Sequence, residues 1–312
     1  MLAASDPLVS VVLPTYNRRQ SVGKAIQSVL QQTYATLELI VVDDGSTDGT
    51  EQLVRQLSDT RISYLRHENN RGGSAARNTG LAAARGQLIA FQDSDDEWLP
   101  HKLERQVALL REAGETTGVV YCTYRRSFPD GSSESHPADP ASAPRGEIHR
   151  ALLWANFIGT PTIVARRSCY ESVGGFDEAL PRFQDWDWMI RVSRDWQVGF
   201  IEEPLVRAGL VGDNISGGHT AALVAAERRL VEKHAESLRQ AGNDVWAYRL
   251  WHLAHVSIMQ GAAADGRREL RRALRVQFRW DWVGMGVLSL APPLYRAAYR
   301  WTRGRSVAHQ RG

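Results

Sequence analysis

The sequence predicts an α/β fold: a mixed, mainly parallel sheet flanked by helices over residues 1–215, followed by a helical, Arg-rich C-terminal extension over 216–312. Three observations predict it. Short β-branched runs alternate with helix-periodic stretches through the first 125 residues, as successive βα units do. Acidic and glycine-rich segments fall directly after those apolar runs, where the ligand-binding loops of an open α/β sheet lie. Beyond about residue 219 the helical period continues without obvious strands.

Val9–Leu13 reads as the first buried strand. Ser21–Gln32 reads as a helix, because Val22, Ile26, Val29 and Leu30 recur at helical spacing. Leu37–Val42 is a second buried strand and 49–57 a second helix. Ile62–Leu65, Leu88–Phe91 and Val119–Tyr121 supply three more strands. Helices are expected near 74–84 and 99–113, the latter with Pro100 at its start, where a missing N–H costs nothing. Residues 127–145, rich in Pro, Ser, Asp and Gly, read as a mobile surface loop. A helix near 147–154, a strand near 161–165, a short helix at 167–173 and a longer one near 185–195 follow.

Composition limits the function classes. With 312 residues the chain holds one large α/β domain with an appendage, or two domains. At 43% hydrophobic and 23% charged residues it can bury a core, which argues against wholesale disorder. A net charge of +3 is too small to suggest a nucleic-acid partner, and none is expected. The charge is unevenly placed: residues 267–312 carry eleven arginines against Glu269 and Asp281, which leaves the rest of the chain net acidic. Such a basic end suits a membrane surface or a polyanion. Cys122 and Cys169 are the only cysteines, so a disulfide framework and a Cys-rich zinc site are both excluded. The start, MLAASDPLVS, lacks the charge and apolar core of a signal peptide, and a cytoplasmic location is expected. The longest late uncharged stretch, Trp282–Tyr295, is broken by Pro292 and Pro293 and is shorter than the ~20 residues a spanning helix needs.

Five segments could carry chemistry. Pro14-Thr15-Tyr16-Asn17 follows the first strand, either as a ligand loop or as a turn with Asn17 capping the next helix. In Asp43-Asp44-Gly45-Ser46-Thr47-Asp48 two adjacent carboxylates repel unless donors face them. Asp44 reads as a ligand group, Asp43 as a turn-closing residue, and Ser46 or Asp48 as a helix cap. Gln92-Asp93-Ser94-Asp95-Asp96-Glu97 puts four acids in five residues at a strand end. Such hard oxygen donors suit Mg²⁺ or Mn²⁺ carrying a diphosphate. In Gly72-Gly73-Ser74-Ala75-Ala76-Arg77 the glycines permit close backbone approach, and Arg77 either contacts a phosphate or nucleobase or points to solvent. In Gln184-Asp185-Trp186-Asp187-Trp188, Asp185 is either a base of raised pKa or an acid at a helix N-terminus. The two tryptophans either stack on a sugar ring or fill the core.

Taken together, these segments and the Gly174–Glu178 run GGFDE resemble glycosyltransferase family 2, the inverting nucleotide-sugar transferases of GT-A (Rossmann-like) fold. The matching stretches are VSVVLPTYNR, ELIVVDDGSTDGT, NNRGGSAARNTGL, LIAFQDSDDEWLP, GGFDE and QDWDWMIR, in the family's order over roughly residues 8–215. The resemblance implies a nucleotide-binding half at about 1–125 and an acceptor half at about 126–215. It implies that Pro14, Thr15, Tyr16 and Asp44 bind the nucleoside, with Asp44 at the base, and that Arg77 contacts the nucleotide. Asp93, Asp95 and Asp96 would place the ribose and the divalent metal, with Asp95 and Asp96 on Mg²⁺ or Mn²⁺. Asp185 would be the catalytic base. The implied reaction moves a sugar from a nucleoside-diphosphate donor, UDP-linked by family habit, to a saccharide or lipid-linked acceptor in surface-glycan assembly.

Two departures stand out. Gln184 occupies a position where the family often has Glu, and the run Arg207–Ser216 lacks the His often found before Asn-x-Ser. They support the competing reading of a catalytically idle nucleotide-sugar-binding or scaffold protein. An NAD-dependent Rossmann enzyme is disfavoured because the first strand leads into Pro-Thr-Tyr-Asn rather than G-x-G-x-x-G. Receiver-domain phosphotransfer leaves the second and last acidic segments without a role. In the tail, a helix from Arg267 onward would carry Arg268, Arg272, Arg275 and Arg279 on one stripe and Leu270, Leu274 and Phe278 on another. It is expected either to pack on the catalytic domain or to touch the inner face of the plasma membrane as a peripheral contact.

Overall fold

The computed structural model describes residues 6–128, 131–209 and 221–291, together with Pro293 and Tyr295. They form two compact units. The first holds a nine-stranded mixed sheet. Its strands are β1 (Val9–Thr15), β2 (Leu37–Asp43), β3 (Ile62–Arg66), β4 (Leu88–Phe91), β5 (Glu97–Trp98), β6 (Thr117–Ser127), β7 (Ser133–His136), β8 (Val164–Arg166) and β9 (Gln197–Ala208). The order is β3-β2-β1-β4-β8-β6-β9-β5, with β7 paired to β6.

β3, β2, β1 and β4 run parallel, so their carboxyl ends open along one edge. Every residue of β1, β2 and β4 is buried, as expected for strands covered by helices on both faces. α1 (Val22–Leu30) buries Val22, Ala25, Ile26 and Val29 as a single stripe. α2 (Thr50–Arg55) and α3 (Gly73–Ala83) complete the first βα units. Gly80 lets α3 lie on β1, since a Cβ there would come 2.3 Å from Val12 Cγ1. α4 (Lys102–Glu112), α5 (His149–Trp154), α6 (Arg167–Val173) and α7 (Gln184–Val192) make up the rest of the helical layer.

Several boundaries differ from the sequence reading. Pro14 and Thr15 lie on β1, paired with Val42 and Asp43, so the first loop begins at Tyr16. The helix expected from 99 starts at Lys102, because Glu97–Trp98 pairs with β9 first. The expected loop 127–145 contains β7, which runs antiparallel to the end of β6. Its alternating polar residues hide the strand signal. The strand expected at 161–165 splits into a 3-10 turn, Thr160–Thr162, and β8. β9 was not anticipated, since its Glu202, Glu203 and Pro204 interrupt any apolar alternation.

The second unit holds the segment Leu180–Phe183 and five helices: α8 (Ala221–Lys233), α9 (Ala235–Gln240), α10 (Asn243–Met259), α11 (Ala263–Val276) and α12 (Trp280–Leu288). α10 is its core element, buried at Val245, Leu250, Leu253 and Val256. α11 crosses it closely at Gly266, where a Cβ would stand 2.7 Å from the Ala254 carbonyl. The buried Glu227 carboxylate accepts from Arg249 and from His252, the latter at 3.0 Å. The expected continuous helix through Arg279 is corrected: α11 ends at Val276, Gln277 is extended, and Phe278 and Arg279 leave the stripe. Its apolar side, Leu270 and Ala273, is buried within this helical unit. Among the described residues no helix is long and apolar enough to cross a membrane.

Candidate active site

The site lies at the carboxyl edge of the parallel strands. Leaving β1, Asn17 takes φ 51°, which Asn tolerates better than other side chains. Its backbone N–H donates to Ser46 Oγ at 2.8 Å, and its Oδ1 accepts from Thr47 N at 2.9 Å. This cross-link makes Asn17 a loop-to-loop tie rather than a helix cap. Tyr16, beside it, is 45% exposed, a large aromatic side chain open to a ligand.

After β2 the two adjacent carboxylates have separate work. Asp43 closes its turn through Ser46 N at 2.8 Å and accepts from Tyr64 Oη at 2.6 Å. Gly49, not Ser46 or Asp48, is the N-cap of α2, and Asp48 just before it accepts from Thr50 N and Oγ1. Asp44 accepts from Arg71 N at 2.9 Å and Gly72 N at 2.7 Å, and lies 2.7 Å from His67 Nδ1. Its first partners are therefore the protein's own: it anchors the loop that delivers α3. A nucleobase at Asp44 would have to share oxygens already engaged.

The third segment folds as a tight acidic turn, with Asp96 N donating to Asp93 O at 3.1 Å. Arg77 is not a solvated helix residue. Its Nη2 donates to Asp93 Oδ1 at 2.7 Å, and its guanidinium lies 5.8 Å from the Phe176 ring centre. Arg18, which the sequence reading passed over, reaches to 4.0 Å from Asp95. Asp96 Oδ1 accepts from Gly209 N at 2.8 Å, and Gln92 Nε2 donates to the Asp96 carbonyl at 2.7 Å. Gly209 is required there, since a Cβ would come 1.8 Å from the Asp95 carbonyl oxygen.

Burial and then Asp93 raise the pKa of Asp95, with Arg18 offsetting part of the effect. Burial and then Asp93 push Asp96 up to about 8. Oxygen donors of this kind fit a hard divalent cation. Among the described residues no three His, Cys, Asp or Glu side chains form a ready cage. The hydroxyls of Thr15 and Ser74 and the Nε of Arg77 are buried without protein partners near the same strand ends, and a polar ligand would satisfy them.

Asp185 lies in the first turn of α7, one residue after Gln184 and two after Phe183, whose φ of 66° is rare for a bulky side chain. The Asp185 carboxylate accepts from Trp186 N at 2.8 Å, and Thr160 Oγ1 lies 3.5 Å away. Burial raises its pKa. The Trp186 N–H, Arg77 and Asn156 oppose that rise, and Asp93 adds to it. The base candidate thus senses both Asp93 of the acidic turn and the Arg77 bonded to it. Asp187 instead is fully buried and pairs with Arg191 at 3.1 Å.

The tryptophans are core residues, which overturns the sugar-stacking alternative. Trp188 stacks on Tyr170 at 4.3 Å and donates to the Gly174 carbonyl, while Trp186 donates to the Leu152 carbonyl at 2.6 Å. The GGFDE run is clamped from both sides. Asn78 bonds Phe176 N at 2.8 Å and Phe176 O at 2.9 Å, and Arg191 donates to the carbonyls of Val173 and Gly175.

Two further residues come from β6 and were missed because the strand was read as ending at Tyr121. Burial raises the pKa of Tyr124, which also feels Arg126, Asp96 and Asp185. Its ring stacks on His136 of β7 at 4.8 Å. Arg126 in turn acts on Asp96, and its Nε is buried without a partner. No short motif marks these positions. The Asn214–Ser216 segment and His219 lie outside the described residues.

A family model described as glycosyl transferase family 2 matches residues 10–174, more than half of the chain. The chain belongs to glycosyl transferase family 2. Bacillus subtilis TuaG, assigned by name to teichuronic acid biosynthesis as a glycosyltransferase, is 44% identical over 217 residues, covering 67% of this chain and 82% of TuaG. Escherichia coli WfgD, a UDP-Glc:α-D-GlcNAc-diphosphoundecaprenol β-1,3-glucosyltransferase, is 48% identical over 105 residues, 34% of this chain and 42% of WfgD. The match spans less than two thirds of several relatives, WfgD among them. Among solved structures, Staphylococcus aureus TarS 1–349 in complex with UDP-GlcNAc superposes with a TM-score of 0.67 at 17% identity, over 94% of this chain and 92% of that one. At that identity the likeness concerns the fold, and it is the GT-A arrangement this family 2 sequence implied.

Proposed function

We propose that this family 2 chain transfers a sugar, with inversion, from a nucleoside-diphosphate sugar to a hydroxyl of a saccharide or lipid-linked acceptor in surface-glycan assembly. The observation that supports the reading is that Arg77 and Asp93, joined at 2.7 Å, both act on the buried Asp185, as expected if a base and the acidic turn serve one site. A UDP-linked donor is supported by the UDP-GlcNAc complex of TarS and the UDP-Glc named for WfgD. The diphosphoundecaprenol named for WfgD supports a lipid-linked acceptor. The Pyrobaculum calidifontis mannosyltransferase PcManGT, in complex with GDP-Man and Mn²⁺, shares the fold with a TM-score of 0.58, which keeps a guanine donor in the test.

In this reading Tyr16 covers the nucleoside, with Pro14, Thr15 and Asp44 behind it, and Arg77 and Arg18 meet the negative charge of the diphosphate. Asp95 and Asp96 would hold Mg²⁺ or Mn²⁺. When bound, that ion supplies Lewis-acid stabilisation of the departing diphosphate. Ionised Asp185 takes the proton of the acceptor hydroxyl as its oxygen attacks the anomeric carbon. The bond to the diphosphate oxygen breaks on the opposite face, which inverts the centre. Gln184 cannot take that proton, so the base role falls to Asp185 alone.

The test is release of nucleoside diphosphate from UDP- and GDP-sugars with Mn²⁺ and with EDTA. Metal-dependent turnover that Asp185→Asn removes supports the proposal. Nucleotide binding without any turnover would favour the idle-scaffold reading instead.

A further inference from the structure

Among the described residues six large apolar side chains are exposed, and five of them fall between residues 278 and 290. Phe278 is 60% exposed, Trp280 78%, Val287 63% and Leu290 71%. α12 explains the pattern by having two unlike faces. Trp282 turns inward and stacks on Trp251 at 5.8 Å, and Gly286 lies against Leu270 of α11. Trp280, Gly284 and Val287, at spacings of four and three, form the opposite stripe. Phe278 packs edge-on to Trp280 at 5.0 Å, which extends that stripe beyond the helix start. Arg267 fixes the far end by donating to the Ser289 carbonyl at 3.0 Å. The apolar stripe is therefore held outward by packing on its other side.

The adjoining sequence is net positive. Six arginines between 267 and 279 face only Asp265, Glu269 and Asp281. Arg268 pairs with Asp265, Arg272 with Glu269 and Arg279 with Asp281. Arg271 and Arg275, one turn apart on α11 and both exposed, have no ion-pair partner among the described residues. Aromatic and aliphatic side chains held in water beside surplus arginine fit the boundary of a lipid bilayer with anionic headgroups. There the rings sit at headgroup depth and the guanidiniums meet phosphate. A second copy of the chain fits less well, because a two-fold contact would bring one Arg-rich surface against another.

We infer that α12 and its lead-in, Phe278–Leu290, form a peripheral docking element for an anionic lipid surface, with Arg271 and Arg275 as its electrostatic anchors. Of the Leu270, Leu274 and Phe278 stripe expected from sequence, Leu270 is buried and Phe278 alone belongs to this element. The inference does not depend on which reaction the chain performs.

The test is flotation of the full chain with phosphatidylcholine vesicles, with and without phosphatidylglycerol, at low and high salt. The chain should float only with the anionic vesicles and be released by salt. Phe278→Ser with Trp280→Ser should weaken binding about tenfold, and Arg271→Glu with Arg275→Glu by about as much or more. Circular dichroism and UDP-dependent thermal stabilisation of the same samples report whether each variant stays folded. Absence of flotation by folded wild type, or unchanged flotation by both variants, would overturn the inference. So would a dimer in sedimentation velocity that dissociates in the Phe278/Trp280 variant without any lipid binding. Donor turnover measured in parallel separates the two proposals, since lipid binding without turnover counts against the reaction alone.

Discussion

Asp185 works against its surroundings: burial favours its neutral form, and the Trp186 N–H, Arg77 and Asn156 restore part of the preference for charge. A base must be ionised to act, and a raised pKa means that ionisation is lost at higher pH than for a free carboxylate, near 3.9. The acid limb of kcat/KM should therefore lie above the ordinary Asp range. Asn156→Ala, which removes a hydrogen bond to the charged form, should move that limb further up in a pH–rate profile, and an unmoved limb would contradict the assignment. Asp185→Asn should cost about 10²- to 10⁴-fold in transfer while calorimetric nucleotide affinity stays within a few-fold. Equal loss of both would reassign Asp185 to donor binding.

At the scale of elements, the site depends on a few close approaches. Gly209 follows β9 directly, and Gly209→Ala would force the acidic turn away from its contact with Asp96. Metal-dependent nucleotide binding should fall by about tenfold or more, as expected when a site's buried polar groups lose their geometry. Gly80→Ala would instead drive a methyl into Val12, costing about 1–3 kcal/mol in chemical denaturation with donor affinity nearly unchanged. These elements were unequally legible. β1, β2 and β4 announce themselves because strands buried on both faces are continuous apolar runs. β5, β7 and β9 do not, because their polar residues follow no clean alternation and their pairing is set by distant partners. Asp44, Asp93, Asp95 and Asp96 were readable as chemistry-bearing types after strands, and Arg77 and Asp185 as such types in helices. The hydrogen bonds that give Asp44 to the chain's own loop, and the approach of Tyr124 and Arg126, arise only from tertiary packing.

At the scale of the whole molecule, the helical unit carries its own charge network. Burial alone would push Glu227 up, but Arg249 and then His252 hold its pKa below the ordinary value. A depressed folded pKa contributes stability above the unfolded value, near 4.3, and loses it as pH falls through the folded one. Thermal denaturation followed by far-UV dichroism should show acid sensitivity below about pH 4 that Glu227→Gln blunts. The same variant should lower stability near neutral pH by about 3–5 kcal/mol, because the buried ion pair between Arg249 and Glu227 is broken.

The most direct measurement of the central claim is isothermal titration of UDP, GDP and dTDP into the chain, each with Mn²⁺ and with EDTA. The account predicts saturable binding of one nucleotide, UDP, that needs the metal and is weakened by Arg77→Ala and by Asp95→Asn. Folded protein that binds none of the three, or binds equally well in EDTA, would contradict it.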